Sequence, residues 1–284
     1  MLDKMIIGTV QFGLDYGVNS STAKKVTQQD CNEMLDIALT NGIHLLDTAE
    51  AYGDAIDKIA NYHHKSKAKF QIISKFLSPD NIIQPLTESL KKMEIASYHT
   101  ILAHKSQDLF FNTDVQRDLS EMKNSGLAKY IGVSIYTNEE FLQSIESKYV
   151  DLIQFPYNLL DNMTQRGELM KTAREAGKIL HARSVYLQGM FLKPFPLPEK
   201  LRPLESYLQK LQDLCTDHGI SMASLCLEYV FSNELIDNVV IGHHKPSQLL
   251  GNIDLIKNFK HGEYLKEVDD IRVIESELLS PRNW

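Results

Sequence analysis

Asp47, Tyr52, Lys75 and His104 are the residues of this chain whose types and spacing could do chemistry together. Three segments run apolar at alternate positions and stop on a polar residue: Ile43, Leu45, Asp47; then Ile73, Lys75; then Leu102, His104. Tyr52 follows the first of them, in the loop from Thr48 to Gly53, where Gly53 lets the backbone turn sharply. A carboxylate, a phenol, an ammonium and an imidazole at consecutive strand ends suggest a catalytic centre. Were it to reduce a carbonyl, the oxygen would need a proton as negative charge develops there, and the Tyr52 phenol is the candidate donor. A free phenol has a pKa of about 10, so an adjacent cation such as Lys75 would help by lowering it. Asp47 would keep that ammonium charged, and His104 would hydrogen-bond the carbonyl oxygen. Lys75 could instead form a Schiff base in isomerase or aldolase chemistry, but a carboxylate beside it holds the amine protonated and non-nucleophilic.

Such a centre needs elements that bring several strand ends to one place. Strand-like segments fall over residues 5–9, 43–47, 70–75, 98–104, 130–134, 150–155, 178–184 and 238–242. Helix-like segments alternate with them over 28–41, 54–62, 80–93, 112–125, 138–147, 164–176, around Leu208 to Leu214, and 247–258. Alternation of this kind gives parallel strands with helical crossovers, and eight parallel strands can close and remove both edges. The expected fold class is α/β, a single (β/α)8 TIM barrel over residues 1–284, with a C-terminal tail after about 260. Alternate residues of a strand share a face, so Asp47, Lys75 and His104 extend inward apolar columns and emerge at the C-terminal rim, where the reacting groups of such barrels gather. The segment Gly189 to Leu204, with Pro194, Pro196, Pro198 and Pro203, interrupts the rhythm as either a substrate lid or a rigid connector. The tail ending at Trp284 either covers the mouth or packs along the side.

Beyond these four residues, the matching pieces are Gly8-Thr9-Val10-Gln11-Phe12-Gly13, Leu46 to Gly53, Ser74-Lys75, Leu102-Ala103-His104, Ile131-Gly132-Val133-Ser134, and Ile241-Gly242 followed by Gln248 and Asn252. On these pieces the chain resembles the aldo-keto reductases over nearly its whole length. The resemblance implies a barrel that binds a nicotinamide dinucleotide, usually NADPH, without a Rossmann fold, and the chain has no Gly-x-Gly-x-x-Gly after a strand. It implies that Ser134 and Gln154 meet the nicotinamide carboxamide, that Gly242 and the helix near Ser247 receive pyrophosphate or the adenosine end, and that Asn252 contacts adenine. It also places Gly8, Thr9, Asp47, Arg183, Ser184, Leu187 and Gly189 in the cofactor site. Ile135 stands where many relatives have Asn, and Arg183 where an aromatic ring often stacks on the nicotinamide. Gly242 and Gln248 occupy positions where NADPH-preferring relatives often carry Lys and Arg, so NADH stays open unless His243, His244 or Lys245 compensates. The segment Ala182 to Gly189 is similar to that of reductases encoded with bacterial surface-sugar pathways, which implies a sugar-derived carbonyl. Some relatives are nucleotide-sensing subunits with little turnover, and this is the second functional reading.

Composition narrows the partners. The chain has 284 residues, 43% hydrophobic and 24% charged, enough for a sizeable core. No apolar run is long enough to cross a bilayer or to act as a signal peptide, so a cytoplasmic protein is expected. A net charge of -7 disfavours nucleic acid as a partner and leaves a small-molecule carbonyl substrate as the expected one. Cys31, Cys215 and Cys226 are widely spaced and read as buried free thiols; the doublets His63-His64 and His243-His244 lack the companions of a metal site, and no metal is expected. Nothing in the sequence sets the oligomeric state.

Overall fold

The computed structural model describes residues 1–17, 25–193 and 196–284. Eight strands, β1 (Met5–Gly8), β2 (Leu45–Asp47), β3 (Gln71–Phe76), β4 (Tyr98–Ala103), β5 (Ala128–Ser134), β6 (Leu152–Pro156), β7 (Ile179–Arg183) and β8 (Asn238–Gly242), close into a parallel barrel in chain order. β1 pairs with β8 from Met5 opposite Val239 to Gly8 opposite Gly242, so no edge remains among the strands. The expected (β/α)8 barrel is present.

Two apolar layers hold it. Inside the ring, Ile6, Ile73, Leu102 and Leu152 are fully buried and pack with Leu45, Ile179 and Val240. The other parity of each strand, exemplified by Ile72, Ile101, Val133 and Ile153, faces the surrounding helices in a second cluster. The helices bury one face each for the reason their sequences suggest. Gln28–Thr40 begins at a Thr27 cap whose hydroxyl accepts from the Asp30 N–H, and it buries Cys31, Met34, Leu35 and Ala38. Asn138–Glu146 begins with a capping box between Thr137 and Glu140.

Differences from the sequence expectations are local. β4 ends at Ala103, so His104 lies one residue past the ladder, and a short helix Ser106–Phe110 follows it. The segment around Cys226 is a helix, Met222–Phe231, lying outside the helical ranges given above and buried from Leu225 to Phe231. Of the proline-rich segment, Pro194 and Phe195 lie outside the described residues. The rest forms two short 3-10 turns, Leu187–Leu192 and Glu199–Leu204, and buries Leu197, Leu201 and Leu204 as a connector does. The tail takes the first of its two courses: Leu278 and Leu279 are buried, the Trp284 indole donates to the Leu278 carbonyl at 2.8 Å, and Arg282 lies over the Tyr136 ring at the barrel mouth.

Closure itself depends on one missing side chain. A Cβ at Gly132 would stand 2.2 Å from the Leu152 carbonyl oxygen and 2.7 Å from Leu102 Cδ2, with no room for either to yield. Gly132→Ala should therefore lower unfolding free energy by about 3 kcal/mol, the upper end of ordinary overpacking, as urea denaturation would measure.

Candidate active site

The inward residue at each strand end faces the mouth: Gly8, Asp47, Lys75, Ser134, Gln154, Arg183 and Gly242, with His104 just beyond β4. The Lys75 ammonium, almost completely buried, donates to an Asp47 carboxylate oxygen and to the Thr48 carbonyl at 3.2 Å. The second Asp47 oxygen accepts from the Gln154 amide at 2.8 Å. Burial pulls the Lys75 pKa down, and the charge and hydrogen bond of Asp47 oppose that pull. Lys75 Nζ lies 5.3 Å from the Tyr52 ring centroid, and the Tyr52 ring meets the His104 ring edge-on at 6.1 Å. The four expected residues thus converge.

Glycine places the phenol. The stretch carrying Tyr52 runs against Gly13, where a Cβ would fall 1.7 Å from the Tyr52 carbonyl oxygen. Gly53 turns away in the left-handed region, at φ +53°, with its own missing Cβ 2.5 Å from the Gly13 carbonyl oxygen. Behind it, the buried Lys58 ammonium donates to the carbonyls of Phe12 at 2.6 Å and Val26 at 2.8 Å, fixing the segment after β1 to the helix Ala55–Lys65.

Electrostatics separate the roles. Burial raises the Tyr52 pKa above the usual phenol value, the Asp47 charge adds to the rise, and the Arg183 guanidinium counters it. The Lys75 ammonium is matched by Asp47 and lies over the Tyr52 ring. Burial, then the Lys75 charge, pulls His104 down to about 4, so the ring is neutral near pH 7. Two residues that the sequence did not single out belong to this group. Tyr136 is sandwiched, with the Arg183 guanidinium 4.1 Å from its centroid and that of Arg282 at 3.7 Å. Burial opposes ionisation of Tyr136, but the two arginines outweigh it and hold the phenol below its ordinary value. Tyr136 two residues past the end of β5 was a legible signal; Arg282, on the tail, had none. A cavity of about 460 Å³ opens on the far side, between Tyr136, Arg166 and the tail.

The remaining expected cofactor positions lie at or just past the ends of β1, β5, β6, β7 and β8, several of them already engaged. Thr9 Oγ1 donates to the Asp47 carbonyl at 3.0 Å and ties β1 to β2. Ser134 is buried at its strand end, and Ser184, Leu187 and Gly189 lie on a stretch with positive φ, Gly189 having open space where a side chain would be. Gln248 Oε1 accepts from the His244 N–H at 2.8 Å, Asn252 accepts from the Tyr186 hydroxyl at 2.8 Å, and the Asn252 amide donates to His243 Nε2 at 3.0 Å. Gly242 lies under the Gln11 side chain. Gln11 Oε1, His243 Nδ1 and His244 Nδ1 are buried polar atoms without a partner among the described residues.

The family model for the aldo/keto reductase family matches residues 4–272. The chain belongs to that family. Its relatives include the L-glyceraldehyde 3-phosphate reductases of Escherichia coli O157:H7, 25% identical over 66% of this chain and 62% of the relative, and of Escherichia coli K12, 25% identical over 62% and 58%. The match therefore spans about three fifths of those two proteins. An uncharacterised oxidoreductase of Bacillus subtilis, YrpG, is 23% identical over 95% of this chain and 92% of its own. Among solved structures, a holo aldo-keto reductase from Bacillus halodurans superposes with a TM-score of 0.75 at 16% identity, covering 96% of this chain and 94% of its own. A glycerol dehydrogenase from Gluconobacter oxydans gives 0.73 at 19%, covering 94% and 90%. Likeness at that identity speaks for the fold. Among the described residues no helix is long and apolar enough to cross a membrane.

Two outcomes follow from the geometry. Asp47→Asn leaves a buried ammonium without its charge partner, so stability should fall by about 3 to 5 kcal/mol in denaturant titrations. NMR titration of the imidazoles should find His104 protonating near pH 4, with no change of its charge between pH 6 and 8.

Proposed function

We propose that this protein is an NAD(P)H-dependent reductase that converts a small aldehyde or ketone to an alcohol in the cytoplasm, a sugar-derived carbonyl being within its range. The reading rests above all on the convergence of Tyr52, His104 and the buried Asp47–Lys75 pair at one mouth. It draws support from membership of a family whose curated relatives include named reductases.

A nicotinamide dinucleotide bound at this mouth supplies the hydride that reduces the carbonyl carbon. The residues present fit it: Ser134 and the Gln154 carbonyl for the carboxamide, and the unpartnered Gln11, His243 and His244 atoms beside Gly242 for the polar groups of the nucleotide. Asn252 would act through His243 and Tyr186, to which it is hydrogen-bonded. NADPH is the form we propose, with Lys245 the cation near Gly242 for its additional phosphate and NADH the competitor.

The substrate oxygen would face Tyr52 and His104. The neutral His104 ring donates a hydrogen bond that orients the carbonyl, and Tyr52 transfers its hydroxyl proton to the oxygen as charge accumulates there. Solvent then reprotonates the tyrosinate. Lys75 and Asp47, a closely matched ion pair, keep a fixed polar wall beside the phenol, and Gln154 holds the carboxylate in place.

Tyr52→Phe should lower kcat by about 100-fold or more with a carbonyl panel while NADPH binding, followed by fluorescence, is retained. Equal turnover by the variant would overturn the assignment of the proton donor, and cofactor binding by the wild type without turnover on the whole panel would favour a nucleotide sensor.

A further inference from the structure

The geometry points to an anion-receiving subsite at the mouth, in which Arg183 and Arg282, held on either side of Tyr136, take a carboxylate or phosphate carried by the carbonyl substrate; this rests on the reductase reading and adds the substrate class to it.

Both guanidinium groups are committed to neutral partners. Arg183 donates to the Ile135 carbonyl at 2.8 Å and to Ser184 Oγ at 3.2 Å and lies over the Tyr136 ring. Arg282 lies over the same ring. Among the described residues neither forms an ion pair with a carboxylate, whereas Arg117, Arg166 and Arg174 each do. Glu140, the carboxylate whose charge Arg282 feels, accepts from Ser106 Oγ at 2.6 Å and from the N–H groups of Tyr136 at 2.7 Å and Thr137 at 3.0 Å and makes no ion pair with either arginine, so the two guanidinium groups outnumber it. Asp161 is matched by Arg166, and Asp47 by Lys75. Attraction to one aromatic face leaves both charges in place, and each planar fork keeps donors for a carboxylate or phosphate. In a chain of net charge -7, this is a local concentration of positive charge.

Its position links it to the reaction. The Arg183 charge acts on Tyr52, Lys75 and His104, and the Arg282 charge acts on His104. An anion gripped there would hold the other end of a short substrate toward Tyr52. Arg282 lies beyond residues 4–272, the part shared with the family model, on a tail anchored by Leu278, Leu279 and Trp284. The subsite thus joins a barrel strand end, Arg183 on β7, to the tail that carries Arg282.

Arg282→Gln tests it, since the side chain is exposed and its loss does not endanger folding. Butanal is paired with 4-oxobutanoate, and glyceraldehyde with glyceraldehyde 3-phosphate. The ratio of kcat/KM, anionic over neutral, should fall by about 10- to 100-fold, the effect of losing one charge-assisted hydrogen-bonded contact. The pair with the larger fall identifies the anion as carboxylate or phosphate. A reaction-independent arm measures the rise in melting temperature given by succinate or inorganic phosphate at constant ionic strength. The rise should occur in the wild type and vanish in the variant, and this result stands even if no carbonyl is reduced, in which case the reductase reading alone fails. An unchanged ratio with equal thermal shifts would overturn the subsite. So would a variant that loses NADPH affinity while keeping its substrate ratio, because the anion would then be the cofactor's own.

Discussion

A lysine ammonium and an aspartate carboxylate, both almost completely removed from water, face each other at the top of the barrel. Taking either charge out of water alone would cost several kcal/mol, so each is tolerable only because the other is there. The arrangement demands two adjacent strand ends in fixed register, and β2 and β3 provide it, with Leu45 opposite Gln71 and Asp47 opposite Ile73. Closure of the ring, the apolar layer beneath, and the Thr9 bond to the Asp47 carbonyl all serve to keep these two groups from drifting apart. Such pairs are poor devices for stability, and their retention at a mouth that also holds a phenol and an imidazole is a sign of chemistry.

Much of this was legible in the chain. Alternation of apolar and polar residues up to Asp47, Lys75 and His104 gave both the strands and the face on which those side chains emerge, because a strand has only two faces. Glycine at 53 announced the turn that brings Tyr52 back. Less was legible where a position depends on a distant partner. Nothing local to Gly13 says that the Tyr52 backbone lies against it, and nothing local to Gln154 says that its amide holds Asp47. Nothing local to Asn252 says that its side chain bonds Tyr186 and His243. Nothing local to Glu228, in the otherwise largely apolar Met222–Phe231 helix, says that it accepts from the Tyr264 hydroxyl.

The phenol is the instructive case. Sequence reasoning made Lys75 the cation that tunes Tyr52, since a free phenol is a weak acid at neutral pH and an adjacent cation lowers its pKa. In the folded chain Lys75 is matched by Asp47 and lies over the Tyr52 ring, and the Arg183 guanidinium at the end of β7 is a second positive charge that reaches the phenol.

The bond from Gln154 to Asp47 runs between β6 and β2, which stand four strands apart in a ring of eight and therefore face each other across the bore. It works as a crossbar. A molecule entering from the rim stops at that level whatever its length, so depth is fixed by the strands, and variation in what the pocket accepts must come from the loops and the tail that rise around it.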